Sequence, residues 1–407
     1  MLHLFMTYDF DEIIDRDGTN SVTYEGWRSF LFANEQDLQI PYANHELISL
    51  WVADMAFSSP PPVLDAVRAR LDRKILGYSK IFDPHYGKVL KDWFLEHYSW
   101  DIDTDELVSA PGIVTALNRL VPLLTEPEDQ ILITTPSYAP FKRAGDQCGR
   151  GVVFSPLQEN EGKYEMNFAD LRQKIENPVN RIRVFILCHP HNPTGRVWTT
   201  QELKELGQLC LDNDVWIISD EVHSDLLREG QSHTPMAALF PHSDRIITCS
   251  APSKSFNLAG NMLSHIFIKN TTMRAEWKRL FSDYHSPLSI AATQGAYEHG
   301  AEWLRQLNRY LDANLQFLKD FLTEHLPEAR YQIPEATYLA WVDLSAYLPK
   351  RKDTDRWAVF FAQKAGVLIE GQEDFVANAE GYIRINIACP KATLHTALIR
   401  MAEALNN

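Results

Sequence analysis

Five residues along the chain bear side chains whose types and order could hold one reactive molecule: Gly112, Tyr138, Asn192, Asp220 and Lys254. Gly112 lets the backbone come close to a ligand, and the N–H groups of a helix starting at Ile113 and Val114 suit a phosphate. Tyr138 offers a flat face to an aromatic ring. Asn192, in the turn His191-Asn192-Pro193-Thr194-Gly195, can donate a hydrogen bond to a ring oxygen. Asp220 can pair with a protonated pyridine nitrogen. Lys254 forms a Schiff base with an aldehyde once its surroundings free its amine of a proton.

These residues must be brought together by elements, and the hydrophobic pattern supplies them. Short, nearly continuous apolar runs at Leu107–Ala110, Gln130–Thr134, Gly151–Ser155, Arg183–Cys188, Val215–Ser219, Arg245–Ser250 and Ser264–Ile268 read as strands of a parallel sheet buried on both faces. Between them lie amphipathic stretches. Ile113–Leu124 has helical spacing, with Pro122 a possible kink point, and Thr199–Asp212 opens on the capping box Thr199-Thr200-Gln201-Glu202. Alternating strands and helices predict an α/β fold. Every candidate residue follows one of the apolar runs, so all five gather at the carboxyl ends of the strands, where open α/β sheets bind ligands. A phosphate, an aromatic ring, a ring oxygen, a ring nitrogen and an aldehyde together describe pyridoxal 5'-phosphate.

The tail reads differently. Glu302–His325 carries leucines at 304, 307, 311, 315, 318 and 322, one face of a long helix. Strand patterns at Tyr338–Leu344 and Tyr382–Ala388, a helix near Arg356–Lys364 and a final helix from Lys391 predict a smaller α+β domain. The expected division is a large domain over 50–284 and a small one built from 1–49 and 285–407.

Composition narrows the function. The chain has 407 residues, 45% hydrophobic and 23% charged, within the range of globular proteins. Its formal charge of −15 opposes binding to phosphate backbones, so no nucleic-acid partner is expected. No apolar run reaches the length of a membrane span. Met1–Arg16 lacks the basic start of a secretory signal, and Met6 is a second possible start. Five widely spaced cysteines without a CxxC predict free, mostly buried thiols, a cytoplasmic setting and no metal site. The dinucleotide, P-loop, zincin and serine-hydrolase signatures are absent.

The texts LWVADMAF at 50–57, GYS at 77–79, PHNPTGRVW at 190–198, SDEVHSDL at 219–226, APSKSFNLAG at 251–260 and YIRINIACP at 382–390 carry a family resemblance. The chain resembles fold-type-I pyridoxal-phosphate enzymes of the class I/II aminotransferase superfamily, and among them the MalY/PatB group of cystathionine or C–S β-lyases. The resemblance implies a homodimer and a carbon–sulfur β-lyase that splits L-cystathionine or related cysteine S-conjugates to thiol, pyruvate and ammonia. An aminotransferase using an amino acid and a 2-oxo acid is the alternative.

The resemblance also implies roles. Lys254 holds the cofactor and acts as base; Asp220 faces the ring nitrogen, Asn192 the ring hydroxyl, and Tyr138 stacks on the ring. Gly112, Ile113 and Val114 bind the phosphate, with Ser253 beside them. Tyr78 reaches the phosphate from the other subunit. Arg384, with Ala53 and Asn192, receives the substrate carboxylate. His223 stands where many aminotransferases have a tyrosine and the lyase group has histidine. Two departures stand out: Ala56 replaces an expected Asp, and Ala251 replaces a phosphate-binding Ser, which shifts the phosphate's support toward the helix start and Tyr78.

Overall fold

The computed structural model describes residues 7–350 and 356–406, so the two candidate start methionines, Met1 and Met6, lie outside it. Seven strands form the large sheet: β1 (Leu107–Ala110), β2 (Gln130–Thr135), β3 (Gly151–Pro156), β4 (Ile182–Cys188), β5 (Trp216–Asp220), β6 (Ile246–Ser250) and β7 (Ser264–Ile268). Their order across the sheet is β1-β7-β6-β5-β4-β2-β3. Strands β3, β2, β4, β5 and β6 run parallel. Strand β7 runs antiparallel to both β6 and β1, which corrects its reading as one more parallel strand. The cause is the connection. A parallel return needs a crossover, commonly a helix, whereas residues 251–263 hold only turns and one short 3-10 segment.

Residue alternation along these strands feeds two cores, as a sheet covered on both faces requires. Ile131, Ile133, Val184, Ile186, Ile218 and Ile247 pack beneath the helix Ile113–Leu124 (α3). Leu132, Phe185, Leu187 and Ile217 point the other way, against Leu203, Leu206 and Cys210 of the helix Thr200–Asp212 (α6). Pro122 sits in the last turn of α3 and does not interrupt it. Thr199 caps α6 as its sequence predicts: its hydroxyl accepts from the Glu202 N–H at 3.2 Å, and Glu202 accepts from the Thr199 N–H at 2.7 Å. The other helices of eight residues or more in this part are α1 (Pro61–Leu71), α2 (Pro84–Tyr98), α4 (Ala139–Asp146), α5 (Phe168–Glu176), α7 (Thr271–Leu280) and α8 (Pro287–His299). Helix α8 lies along α1, where Gly295 leaves no room for a Cβ beside Ala66.

The 25-residue helix α9 (Ala301–His325) buries the leucine face predicted for it and leads to a four-stranded antiparallel sheet. That sheet, ordered β8-β9-β11-β10, comprises β8 (Arg330–Tyr331), β9 (Leu339–Asp343), β10 (Glu370–Gly371) and β11 (Tyr382–Asn386). Helices α10 (Trp357–Ala365) and α11 (Lys391–Asn406) pack beside it. The early segment has no core of its own: Trp27, Leu31, Phe32 and Leu47 bury themselves against Ala358, Ala362 and Leu368. No described helix is long and apolar enough to cross a membrane. All five cysteines are free; Cys148 is half-buried and the others are buried.

Candidate active site

The turns leaving the carboxyl ends of β2, β4, β5 and β6 meet the strand β11 and the loop Leu50–Phe57. Lys254 lies four residues beyond β6, half-buried in a turn. Its Nζ donates to the carbonyl of Ala53 at 2.6 Å. Tyr338, at the start of β9, donates its hydroxyl to the same oxygen at 3.0 Å. Burial lowers the basicity of the Lys254 amine; the negative charge of Asp54 opposes it and the positive charge of Arg384 adds to it, with a net lowering. That is the condition for a lysine to serve as nucleophile or base.

Asp220 closes β5 and is buried. Among the described residues its carboxylate accepts from the Val222 N–H, at 3.2 Å. Desolvation therefore dominates and pushes its pKa up to about 7. A buried carboxylate with so few donors is satisfied by a cation placed against it. His223, two residues on, is driven down to about 3 by burial first and then by the charges of Lys254 and Arg384, so its ring is neutral. Its Nδ1 is buried without a hydrogen-bond partner.

Arg384 stands in the middle of β11, 1% exposed. Its Nη1 donates to Asn192 Oδ1 at 2.7 Å and its Nη2 to the Trp51 carbonyl at 3.3 Å. Its Nε is buried and unpaired. Asn192 is set by the turn after β4, where its own N–H rests on Cys188 Sγ at 3.3 Å. Tyr138 pairs across strands with Phe375, whose ring lies under the Arg384 guanidinium, 5.3 Å away. Burial pushes the Tyr138 hydroxyl up to about 12.

Gly112 precedes α3 in extended backbone, and a Cβ built on it meets no atom within 4 Å. The helix start is thus open, and the first N–H groups of α3, at Ile113 and Val114, have no acceptor within the helix. Ser253 is half-buried beside Lys254. Tyr78 stands apart from the other candidates. It is 96% exposed and touches Tyr284, ring centroids 5.5 Å apart.

The loop Leu50–Phe57 is fixed from two sides. Asn257, three residues after Lys254, accepts from the Met55 N–H at 3.1 Å and donates to the carbonyls of Met55 and Phe57 at 3.2 and 2.8 Å. Asn386, two residues after Arg384, donates to the carbonyls of Val52 and Asp54 at 2.7 and 2.6 Å. Asp54 accepts from Arg16 and Thr23. Sequence reasoning missed Tyr338, Asn257, Asn386 and Glu370, which faces Arg384 from β10. Asn257 and Asn386 do lie inside the texts that carried the resemblance; nothing local marks the other two.

With this geometry in place, comparison with known proteins is decisive. The model of the family described as aminotransferase class I and II matches residues 45–401. The chain belongs to that family. It is 34% identical to cystathionine beta-lyase PatB of Bacillus subtilis (strain 168), over 98% of this chain and 100% of that protein. It is 27% identical to protein MalY of Escherichia coli (strain K12), over 98% and 99%. The solved PLP-bound C-S lyase from Staphylococcus hominis superposes with a TM-score of 0.94 at 46% identity, covering 99% of each chain.

Proposed function

We propose that this chain is a pyridoxal-phosphate-dependent carbon–sulfur β-lyase, cleaving L-cystathionine or related cysteine S-conjugates with water to thiol, pyruvate and ammonia. The observation that carries the reading is the Lys254 amine, held on the Ala53 carbonyl within the charge field of Asp54, Arg384 and Asp220. The residues fit the cofactor. Lys254 would link to its aldehyde carbon, Asp220 would pair with its ring nitrogen, Asn192 and His223 would serve its hydroxyl, and Tyr138 would stack on its ring. Gly112, Ile113 and Val114, with Ser253, would hold its phosphate. When bound, the group supplies an electron sink for charge developing at the substrate Cα.

The chain's own residues do the rest. Arg384, with the backbone at Ala53 and the amide of Asn192, fixes the substrate carboxylate, which orients the Cα–H bond. The freed Lys254 amine takes the Cα proton as general base, and the Cβ–S bond breaks with the sulfur leaving as thiolate. The Ala53 carbonyl and the Tyr338 hydroxyl steady that amine between its tasks.

Tyr78 serves the neighbouring site in a homodimer. Supporting this, Ile75, Leu76, Tyr78, Phe82 and Tyr284 form an apolar patch, each between 56% and 96% exposed. Five free cysteines accord with a cytoplasmic setting.

The test is L-cystathionine with purified holoenzyme and no added 2-oxo acid. Pyruvate and free thiol should appear in equal amounts, and Lys254→Ala should release neither. Amino transfer to a 2-oxo acid without thiol release would overturn the lyase reading in favour of an aminotransferase.

A further inference from the structure

Asp220 ends β5 between two thiols. It is the direct partner of Cys188 on β4 and of Cys249 on β6, so the three side chains stand in one row on one face of the sheet. The preceding rung of that face is Ile186, Ile218 and Ile247. The backbone ladder holds the row in register to its end. The His189 N–H donates to the Asp220 carbonyl and the Glu221 N–H to the Cys249 carbonyl, both at 2.9 Å. Cys188, Asp220 and Cys249 are all buried.

Neither sulfur bonds the carboxylate. Cys188 Sγ is engaged in its own turn, donating to the Pro190 carbonyl at 3.4 Å and accepting from the Asn192 N–H at 3.3 Å. The Cys249 thiol has no hydrogen-bond partner among the described residues. A hydroxyl in its place would be a strong donor beside Asp220, would favour the charged carboxylate and would lower its basicity. A thiol is a weak donor and leaves that basicity intact. Burial raises the proton affinity of Asp220; the Val222 N–H and the charge of Lys254 act against it, and Glu221 adds to it. Tyr138, from the turn after β2, is close enough to feel the same charge. We propose that Cys249 is a positioning residue that acts through Asp220: it fills one side of the carboxylate without bonding it, so that the charge is left to the cofactor's ring nitrogen. This rests on Asp220 being that nitrogen's partner in the proposed lyase.

Holoenzyme carrying cofactor labelled with 15N in its ring tests it, because the shift of that nitrogen moves when its proton is lost. Wild type and Cys249→Ala should lose the proton at the same pH, since neither offers a strong donor. Cys249→Ser should lose it about one pH unit lower, a tenfold drop in proton affinity, as expected for one hydrogen bond to a charged group. One cofactor bound per chain shows that each variant is folded. An unchanged midpoint in Cys249→Ser would overturn the proposal. So would an equal shift in Cys249→Ala, because the sulfur would then act by packing alone. Asp220→Asn should lower the midpoint further; if it stays at the wild-type value, Asp220 is not the partner and the proposal falls with that assignment. If wild type releases no thiol from L-cystathionine while the Cys249→Ser shift holds, the role of Cys249 stands and the lyase reading fails.

Discussion

Burial is what turns ordinary side chains into reactive or silent ones in this molecule. Lys254 loses basicity in its turn, Asp220 gains it at the end of β5, and His223 between them is kept neutral. The same force acts away from the site, where it can be measured cleanly. His265 on β7 is fully buried with its Nε2 2.7 Å from the Tyr86 hydroxyl, and burial, then the neighbouring His285, pulls it down to about 3. An unfolded histidine takes a proton below about pH 6.5. Between those values the unfolded chain is protonated there and the native chain is not. This residue's contribution therefore erodes stability as pH falls from about 6.5, by about 1.4 kcal/mol per pH unit. Urea unfolding of wild type and His265→Gln at pH 7, 6 and 5 should show the variant gaining on the wild type by roughly that slope. A difference independent of pH would show that His265 is charged in the native state.

At the scale of elements, the site depends on a loop that has no regular structure between Leu50 and Phe57. Two asparagines hold it, each within three residues of a proposed functional side chain, so the loop links the turn after β6 to the strand β11. Asn257 adopts a φ of 54°, a left-handed conformation that asparagine tolerates better than most residues. Asn257→Ala should cost about 2–3 kcal/mol in denaturant unfolding, because carbonyls and an N–H lose partners in a part-buried place. It should also raise KM for the thioether substrate, since the Ala53 carbonyl is no longer fixed. Asn257→Gly keeps the backbone conformation and drops the bonds; it should show the same rise in KM with a smaller loss of stability. An unchanged KM in both would mean that the loop is positioned by Asn386 and Arg16 alone.

The whole molecule presents one face that a single chain leaves unfinished. Ile75, Leu76, Tyr78 and Phe82 are exposed on the segment between α1 and α2, next to Tyr284. Buried on this scale, apolar side chains contribute about 1.5–3 kcal/mol each. Ile75→Asp with Phe82→Asp should convert the dimer proposed above to monomer in sedimentation velocity. Turnover should fall sharply in the same variant, because Tyr78 then reaches no second site. A variant that stays dimeric would place the interface elsewhere.

Much of this architecture was legible in the chain itself. The apolar runs marked all seven strands of the large sheet, the Thr199 capping box marked a helix start, and the leucines of α9 marked its buried face. The texts around Lys254, Asn192 and Asp220 named the chemistry, because a reactive site needs particular residue types in a particular order. Tertiary structure decided what periodicity does not encode. Apolar alternation reports which side of a strand is buried, but neither its direction nor its neighbour, so the antiparallel β7 was hidden. Cross-strand register is fixed by contacts between distant segments. Only the folded chain sets Glu370 opposite Arg384, or brings the Tyr338 hydroxyl and the Lys254 amine to one carbonyl oxygen.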